Sequence, residues 1–319
     1  MSKSKVNRSP VGALTITELF EEFIVEKESN GLSPATIYHY GKSFDKFLQF
    51  TGKEITMDCT DSKLIQRFIK LLQKDGLKHT SINHYLRDIR VFLYWCMENH
   101  YLPRYTIKEL KGQEEAIITY TDEEMSKLLK RPHKNASFTE WRSWAAINYL
   151  YATGNRAQTL CCIQMQDICF TQKDIHLRHT KNKRAQVIPM SNALCSVLRE
   201  YIRIWRRNTL PSDYLFCNIT ATQLTTDALA HSINVYNKKR GVNKRGVHRF
   251  RHSFSRQYIL NTGNVLKLQK ILGHSTLEMT QRYVNIFDDD LRADFEAANP
   301  LDNHIVKHGR KWNIDKNEL

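Results

Sequence analysis

The stretch VHRFRHSFSRQY, residues 247–258, sets two histidines and two arginines around one phenylalanine between His248 and His252. Three chemistries compete for such a cluster: a metal site, a phosphate site, or a solvated basic helix face. On a helix, His248 and His252 fall four apart and share a side. The zinc-protease pattern places Glu after its first His, however, and Arg249 stands there instead. Between Asn237 and Gln257 the chain carries eight Lys or Arg and no carboxylate, so a cation would be repelled. An anion fits better. Arg251 offers a planar fork of donors matched to phosphate oxygens and stays charged at any working pH. His248, three residues earlier, lies on nearly the same face and can grip the same phosphate. Taken alone, these five residues favour a basic helix resting on a DNA backbone over a reactive site.

Composition points the same way. The chain has 319 residues, enough for two domains or one large one, with 41% hydrophobic residues and a formal net charge of +15. A surplus of Lys and Arg gains affinity for polyanions by releasing counterions from phosphates. The seven cysteines form no CxxC pair and mostly sit inside apolar runs, which suits buried free thiols in a reducing cytoplasm. No apolar run approaches 18 residues, and the opening MSKSKVNRSPVG lacks the apolar core of a secretory signal. Neither a membrane span nor export is expected, and residues 1–13 read as a short flexible basic arm.

Upstream, four amphipathic helices are expected over about 15–28, 34–52, 61–75 and 80–98. Ser33 and Pro34 open the second, and Asp61 the third. Residues 14–100 therefore read as a small helical domain. Its polar faces carry His39, Lys42, Lys46, Lys78, His79, His84, Arg87 and Arg90. As a set these suit a domain that rests on phosphates. Residues 101–120 lack sustained periodicity and hold Pro103 and Gly112, the composition of a linker. A second domain is expected over 121–299. It starts with a capping box at Thr121 and Glu124, followed by an apolar helix that Gly154 closes. Its β region comprises QDICF, DIHLRHT and AQVIPM, the last two joined by a polar turn around Lys181, Asn182 and Lys183. Helices follow over about 191–206, 224–239, 248–262, 264–272, 276–284 and 288–297, with Ser275 capping the fifth, and the tail 300–319 is polar and basic. Lys183, Arg184, Lys244, Arg245 and Arg249 extend the candidate DNA-binding set.

Three further residues stand out near these elements. Arg156 follows a Gly-terminated helix, where new backbone N–H groups also favour anions. His274 follows Gly273, and Tyr283 lies nine residues beyond it. Each alone reads as ordinary surface or core. Together, ATGNR, HTKNKRAQVIPM, HRFRHSFS and LGHSTLEMTQRYVNI resemble the four motif boxes of the tyrosine recombinases, the phage-integrase type, in order and spacing. The resemblance spans about residues 14–298. It implies a mainly α fold with a small β-sheet: an N-terminal four-helix core-binding (SAM-like) domain and a mixed α/β catalytic domain.

The resemblance also implies DNA strand exchange through a covalent 3′-phosphotyrosyl link and a Holliday junction, with Tyr283 as nucleophile. Arg156 and Arg251 would hold the scissile phosphate, His274 would donate a further hydrogen bond, His248 would exchange the tyrosine proton, and Lys181 would protonate the leaving 5′-oxygen. Elementary chemistry agrees. A phenol of pKa about 10 is a weak nucleophile at neutral pH unless its proton is taken or its anion stabilised. A phosphotyrosine conserves the bond energy, so no cofactor, ATP or metal is implied, and the chain has no GxxxxGK[ST] motif and no acidic cluster suited to magnesium. The implied partners are double-stranded DNA, a homotetramer on two duplexes docked through residues 288–319, and an excisionase-type accessory protein, in the cytoplasm at the nucleoid. Mobile-element integration or transposition would be the setting.

Three departures accompany the resemblance. Thr159 stands where an acidic residue is common, Phe250 replaces a common Leu, and with little chain before residue 14 no separate arm-binding domain is expected. A type IB topoisomerase or a telomere resolvase would use a similar residue set, and a non-catalytic DNA-binding protein would explain the charge alone.

Overall fold

The computed structural model describes residues 14–53, 55–112, 118–178 and 185–283, and of Asp58 only the backbone. The chain divides into two compact units, Met1–Glu115 and Ala116–Leu319.

The first unit holds the four expected helices: α1 (Ile16–Ser29), α2 (Pro34–Thr51), α3 (Ser62–Lys74) and α4 (His79–Glu98). Their starts are written in side chains that accept otherwise orphaned N–H groups. Thr15 and Glu18 form a capping box, Ser33 accepts from Thr36 with Pro34 behind it, and Asp61 accepts from Leu64. The core is aromatic: Phe20 stacks on Phe44 with ring centres 3.6 Å apart, and Phe92 meets both edge-on. Each such burial contributes roughly 1.5–3 kcal/mol. Residues 101–112 form no helix, yet they pack on this unit. Leu102 and Ile107 are buried, Asn83 exchanges two hydrogen bonds with the Leu110 backbone, and Tyr94 accepts from the Ile107 N–H.

The second unit is built around α6 (Phe138–Thr153), whose Trp141, Ala145, Ile147, Tyr149 and Leu150 are all buried. A helix apolar on every side must be surrounded. α5 (Asp122–Leu129), α8 (Asn192–Trp205), α9 (Thr226–Lys239) and α10 (His248–Thr262) pack against it. Gly154 ends α6 in the left-handed conformation, at φ 65°. A Cβ there would fall inside contact distance of Phe254 and Leu272, so the position also needs glycine for space. The short α7 (Ala157–Cys161) follows at once. β1 (Ile168–Cys169), β2 (Asp174–Leu177) and β3 (Gln186–Pro189) form an antiparallel sheet in the order β1-β2-β3, with Ile175 opposite both Ile168 and Ile188. Ile175 and Ile188 turn inward, which fixes the register. The chain thus has the expected mainly helical fold with a small sheet.

One element departs from expectation. After α11 (Val265–Leu272), the helix expected over 276–284 shrinks to α12 (Glu278–Gln281). Ser275 does not cap it; Leu277 stands at the N-cap without a side-chain bond. The Thr280 hydroxyl is engaged instead by His274 at 2.8 Å, and Tyr283 closes a turn back to the Thr280 carbonyl. That turn brings Tyr283 inward, where it is buried against Leu268 and Leu272. The helix expected over 288–297 and the 300–319 tail lie outside the described residues, as does the 1–13 arm. Among the described residues no helix is long and apolar enough to cross a membrane.

Candidate active site

Arg251 sits in the first turn of α10 and is 2% exposed. Phe250 beside it is fully buried against Tyr120, anchoring that turn in the core. The Arg251 guanidinium donates to the Gly154 and Leu272 carbonyls, both at 2.9 Å, and to His274 Nε2 at 2.6 Å. Two helix ends therefore meet at one side chain, and none of these three partners is a carboxylate. Burial first, and then the Arg156 charge, lowers its pKa, with Tyr283 opposing. A guanidinium so far above neutral pH remains a cation. A buried cation without a counterion is costly, and an anion arriving from solvent would relieve the cost.

Such an anion has room. A cleft of about 890 Å³ is lined by Arg156, Arg251, His274, Thr159, Gln186 and Lys270, among others. Arg156 occupies the N-cap of α7, beside the backbone N–H groups of its first turn. Asn155 steadies that approach by donating from Nδ2 to the Tyr149 hydroxyl at 2.5 Å. The β3 rim is pinned by Gln186, whose Nε2 donates to the Lys270 and Ile271 carbonyls at 2.7 and 3.2 Å. Arg142 and Arg206 are also buried on carbonyl oxygens, but neither lines this cleft.

The histidines are neutral by cause. Burial, followed by the Arg251, Arg156 and His248 charges, lowers His274 to about 4. Arg251 can only donate, so Nε2 of His274 accepts and its Nδ1–H donates to Thr280. His252 is lowered to about 4 by burial, then by His248, Arg251, Arg249 and Arg282. His248 has an exposed rim, yet crowding of its ring, followed by Arg251 and Arg156, lowers it too. Its ring stands edge-on to His252 with centres 4.9 Å apart.

Tyr283 completes the set. Its hydroxyl lies 3.0 Å from His252 Nδ1 and within hydrogen-bonding reach of Arg251, and its ring stacks parallel to His274. Arg156, Arg251 and His274 thus line one cleft, and His248 and Tyr283 stand beside them against His252; the five come from three of the four motif boxes. Lys181, Lys183 and Arg184 lie outside the described residues. The strands that flank them in sequence, β2 and β3, pair antiparallel, and Gln186 of β3 lines the cleft. Motif reading missed the neighbours that hold these groups: Asn155, Gln186, Thr280 and the His252 contact. All four lie within the quoted boxes, and only the fold shows what each touches.

The remaining basic residues fall into two groups. Lys244 pairs with Glu124 at 2.7 Å and donates to the Thr119 carbonyl, and Arg249 donates to the Ile118 carbonyl over the Tyr120 ring. Arg87 and Arg90 share Glu109 at 2.7 and 3.1 Å, and Lys46 faces Asp75. These charges are partly spent within their own units. Lys78, His79 and Arg245 are exposed, as are His39 and His84, whose rings lie 5.8 Å apart, and Lys42 lies over the Tyr38 ring.

Known families can be set against this geometry. Residues 119–289 match the phage integrase family, and residues 15–111 match the phage integrase SAM-like domain. This chain belongs to the phage integrase family. Among other members, it is 27% identical to tyrosine recombinase XerA of Pyrococcus furiosus over 292 residues, covering 91% of this chain and 96% of that protein. It is 26% identical to tyrosine recombinase XerD of Staphylococcus haemolyticus, covering 90% and 99%. The phage integrase fold is also evident in solved structures. The Tn1549 transposon integrase in complex with transposon right end DNA aligns at a TM-score of 0.76 and 18% identity, covering 89% of this chain and 99% of that one. The XerH recombinase bound to its palindromic substrate aligns at 0.70 and 19%, covering 86% and 83%.

Proposed function

We propose that this protein is a site-specific DNA recombinase that cuts and rejoins double-stranded DNA through a 3′-phosphotyrosyl intermediate, by way of a Holliday junction. The observation that carries the reading is Arg251: a buried guanidinium with only neutral hydrogen-bond partners, opening into a cleft that Arg156 and His274 also line. A phosphodiester is the anion this set fits. Arg156 and Arg251 grip its non-bridging oxygens and stabilise the pentacoordinate transition state. The Tyr283 oxygen attacks phosphorus, the bond to the 5′-oxygen breaks, and Lys181 gives that oxygen its proton. The 5′-hydroxyl of a partner strand reverses each step. Bond energy stays in the phosphotyrosine, so the reaction as drawn takes no nucleotide and no metal.

His274 adds one condition. Its Nε2 accepts from Arg251 here, so it donates to a phosphate once a proton sits on that nitrogen, by full protonation or by a tautomer switch in which Thr280 donates to Nδ1. The negative charge of bound DNA supplies the field for that. Strand exchange further requires a tetramer on two duplexes, joined through the C-terminal segment, with an excisionase-type protein setting direction. The setting we favour is a mobile element acting on cytoplasmic DNA.

The test is a nicked suicide duplex carrying the site this protein selects from a randomised duplex pool. Cleavage loses the short 5′ fragment and traps protein on the 3′ end, seen on a denaturing gel. Relaxation of supercoiled DNA lacking that site would instead favour a type IB topoisomerase, and retained supercoiling with no adduct would favour a DNA-binding protein without catalysis.

A further inference from the structure

The Tyr283 hydroxyl needs a partner that can take its proton, and the imidazole bonded to it is not the one motif reading selects. His248 belongs to the recombinase boxes in that role. The structure instead places His252 Nδ1 3.0 Å from the hydroxyl, with ring centres 5.7 Å apart. Candidate bases are judged by reach first. We propose that His252 is a catalytic residue of this site: its Nδ1 receives the Tyr283 proton during cleavage and returns it during religation. This deepens the phosphotyrosyl reading and rests on it.

The balance is as follows. The O–H bond of Tyr283 breaks as its oxygen bonds to phosphorus, and the proton passes to His252 Nδ1. The bond from phosphorus to the 5′-oxygen breaks, and that oxygen takes a proton from Lys181. In religation the imidazolium returns its proton to the departing phenolate. His252 must enter as the Nε2–H tautomer, leaving Nδ1 free to accept.

The surroundings fit that duty. On α10, His248, Arg249 and Arg251 face the ring; from the turn after α12 come Arg282 and Tyr283. His274 covers the other face of Tyr283, with parallel rings 6.4 Å apart. The charges around His252 are positive and keep it neutral, so Nδ1 is ready to accept. A phosphodiester seated on Arg156 and Arg251 brings the opposite charge. That raises the basicity of Nδ1 when the proton must move.

The experiment is single-turnover cleavage of the selected suicide duplex by the full chain, normalised to bound DNA, from pH 6 to 9. His252→Asn keeps an acceptor near the Nδ1 position but cannot hold a proton. Cleavage is expected to slow about 100-fold at neutral pH. Its rate should then climb about tenfold per pH unit as solvent ionises the phenol, while the wild type stays nearly level. Replacing Tyr283 with 3,5-difluorotyrosine, a more acidic phenol, should restore much of the lost rate in H252N. A structural role for His252 would give neither the new pH slope nor that rescue. Cleavage by H252N within about threefold of wild type, or slowed with an unchanged pH profile, overturns the proposal. If H252N does not bind DNA, H252Q is read by the same criteria. Failure of both to bind assigns His252 to folding and also overturns the proposal. A wild type without adduct, or an adduct that survives Tyr283→Phe, would sink the phosphotyrosyl reading itself; a normal wild type with an ordinary H252N sinks only the role of His252.

Discussion

Arg251 and the neutral histidines beside it owe their states to one cause, burial within a shared positive field. That field has a consequence for stability. His252 and His274 are both depressed from 6.5 to about 4 in the folded protein. The unfolded chain therefore takes up protons first as pH falls, and stability is lost between about 6.5 and about 4. The thermal midpoint is expected to drop across that window, and to drop less in the His252→Asn, His274→Asn double variant. Equal slopes in the two proteins would contradict this assignment. At this scale the motif letters were informative, because Arg156, Arg251 and His274 line one cleft and His248 and Tyr283 stand beside it against His252. What they could not convey is which histidine touches Tyr283. That contact joins residues 31 apart and depends on a turn no periodicity announces.

Helices in this chain were legible where caps and apolar spacing agree. Ser33, Asp61 and Thr121 all accept the N–H groups their positions suggest. The shortened α12 was not legible, because the His274–Thr280 bond diverts the hydroxyl that faces it and the Tyr283 turn ends the helix early. Residues 101–112 were opaque for a related reason: their order comes from side-chain bonds such as Asn83 to Leu110, which leave no periodic trace. The β2–β3 hairpin gives a prediction of its own. Gln186 ties β3 to the last carbonyls of α11, so Gln186→Ala should loosen the strand that follows Lys181, the acid proposed for the leaving 5′-oxygen. Losing about 1–1.5 kcal/mol of positioning predicts cleavage slower by about tenfold. A 5′-bridging phosphorothiolate, whose sulfur leaves without a proton, should erase most of that deficit. A deficit of the same size on both substrates would show that Gln186 does not act through the hairpin.

For the whole molecule, a net charge of +15 and two units rich in basic surface predict binding dominated by phosphates. With roughly 6–10 phosphate contacts, affinity should fall about 10³–10⁵-fold between 50 and 200 mM salt. A shallow dependence, measured by mobility shift, would mean that most of these cations are spent internally, as Lys244, Arg87 and Arg90 partly are. The charge was plain in the sequence, whereas its division between ion pairs and free donors required the fold. The central claim is the covalent link itself. Trapped adduct, nuclease-trimmed and digested with trypsin, should carry its nucleotide on the peptide YVNIFDDDLR, residues 283–292, whose one tyrosine is Tyr283. The account predicts that mass on this peptide and no adduct from Tyr283→Phe; a nucleotide on any other residue, or an adduct formed by that variant, would contradict it.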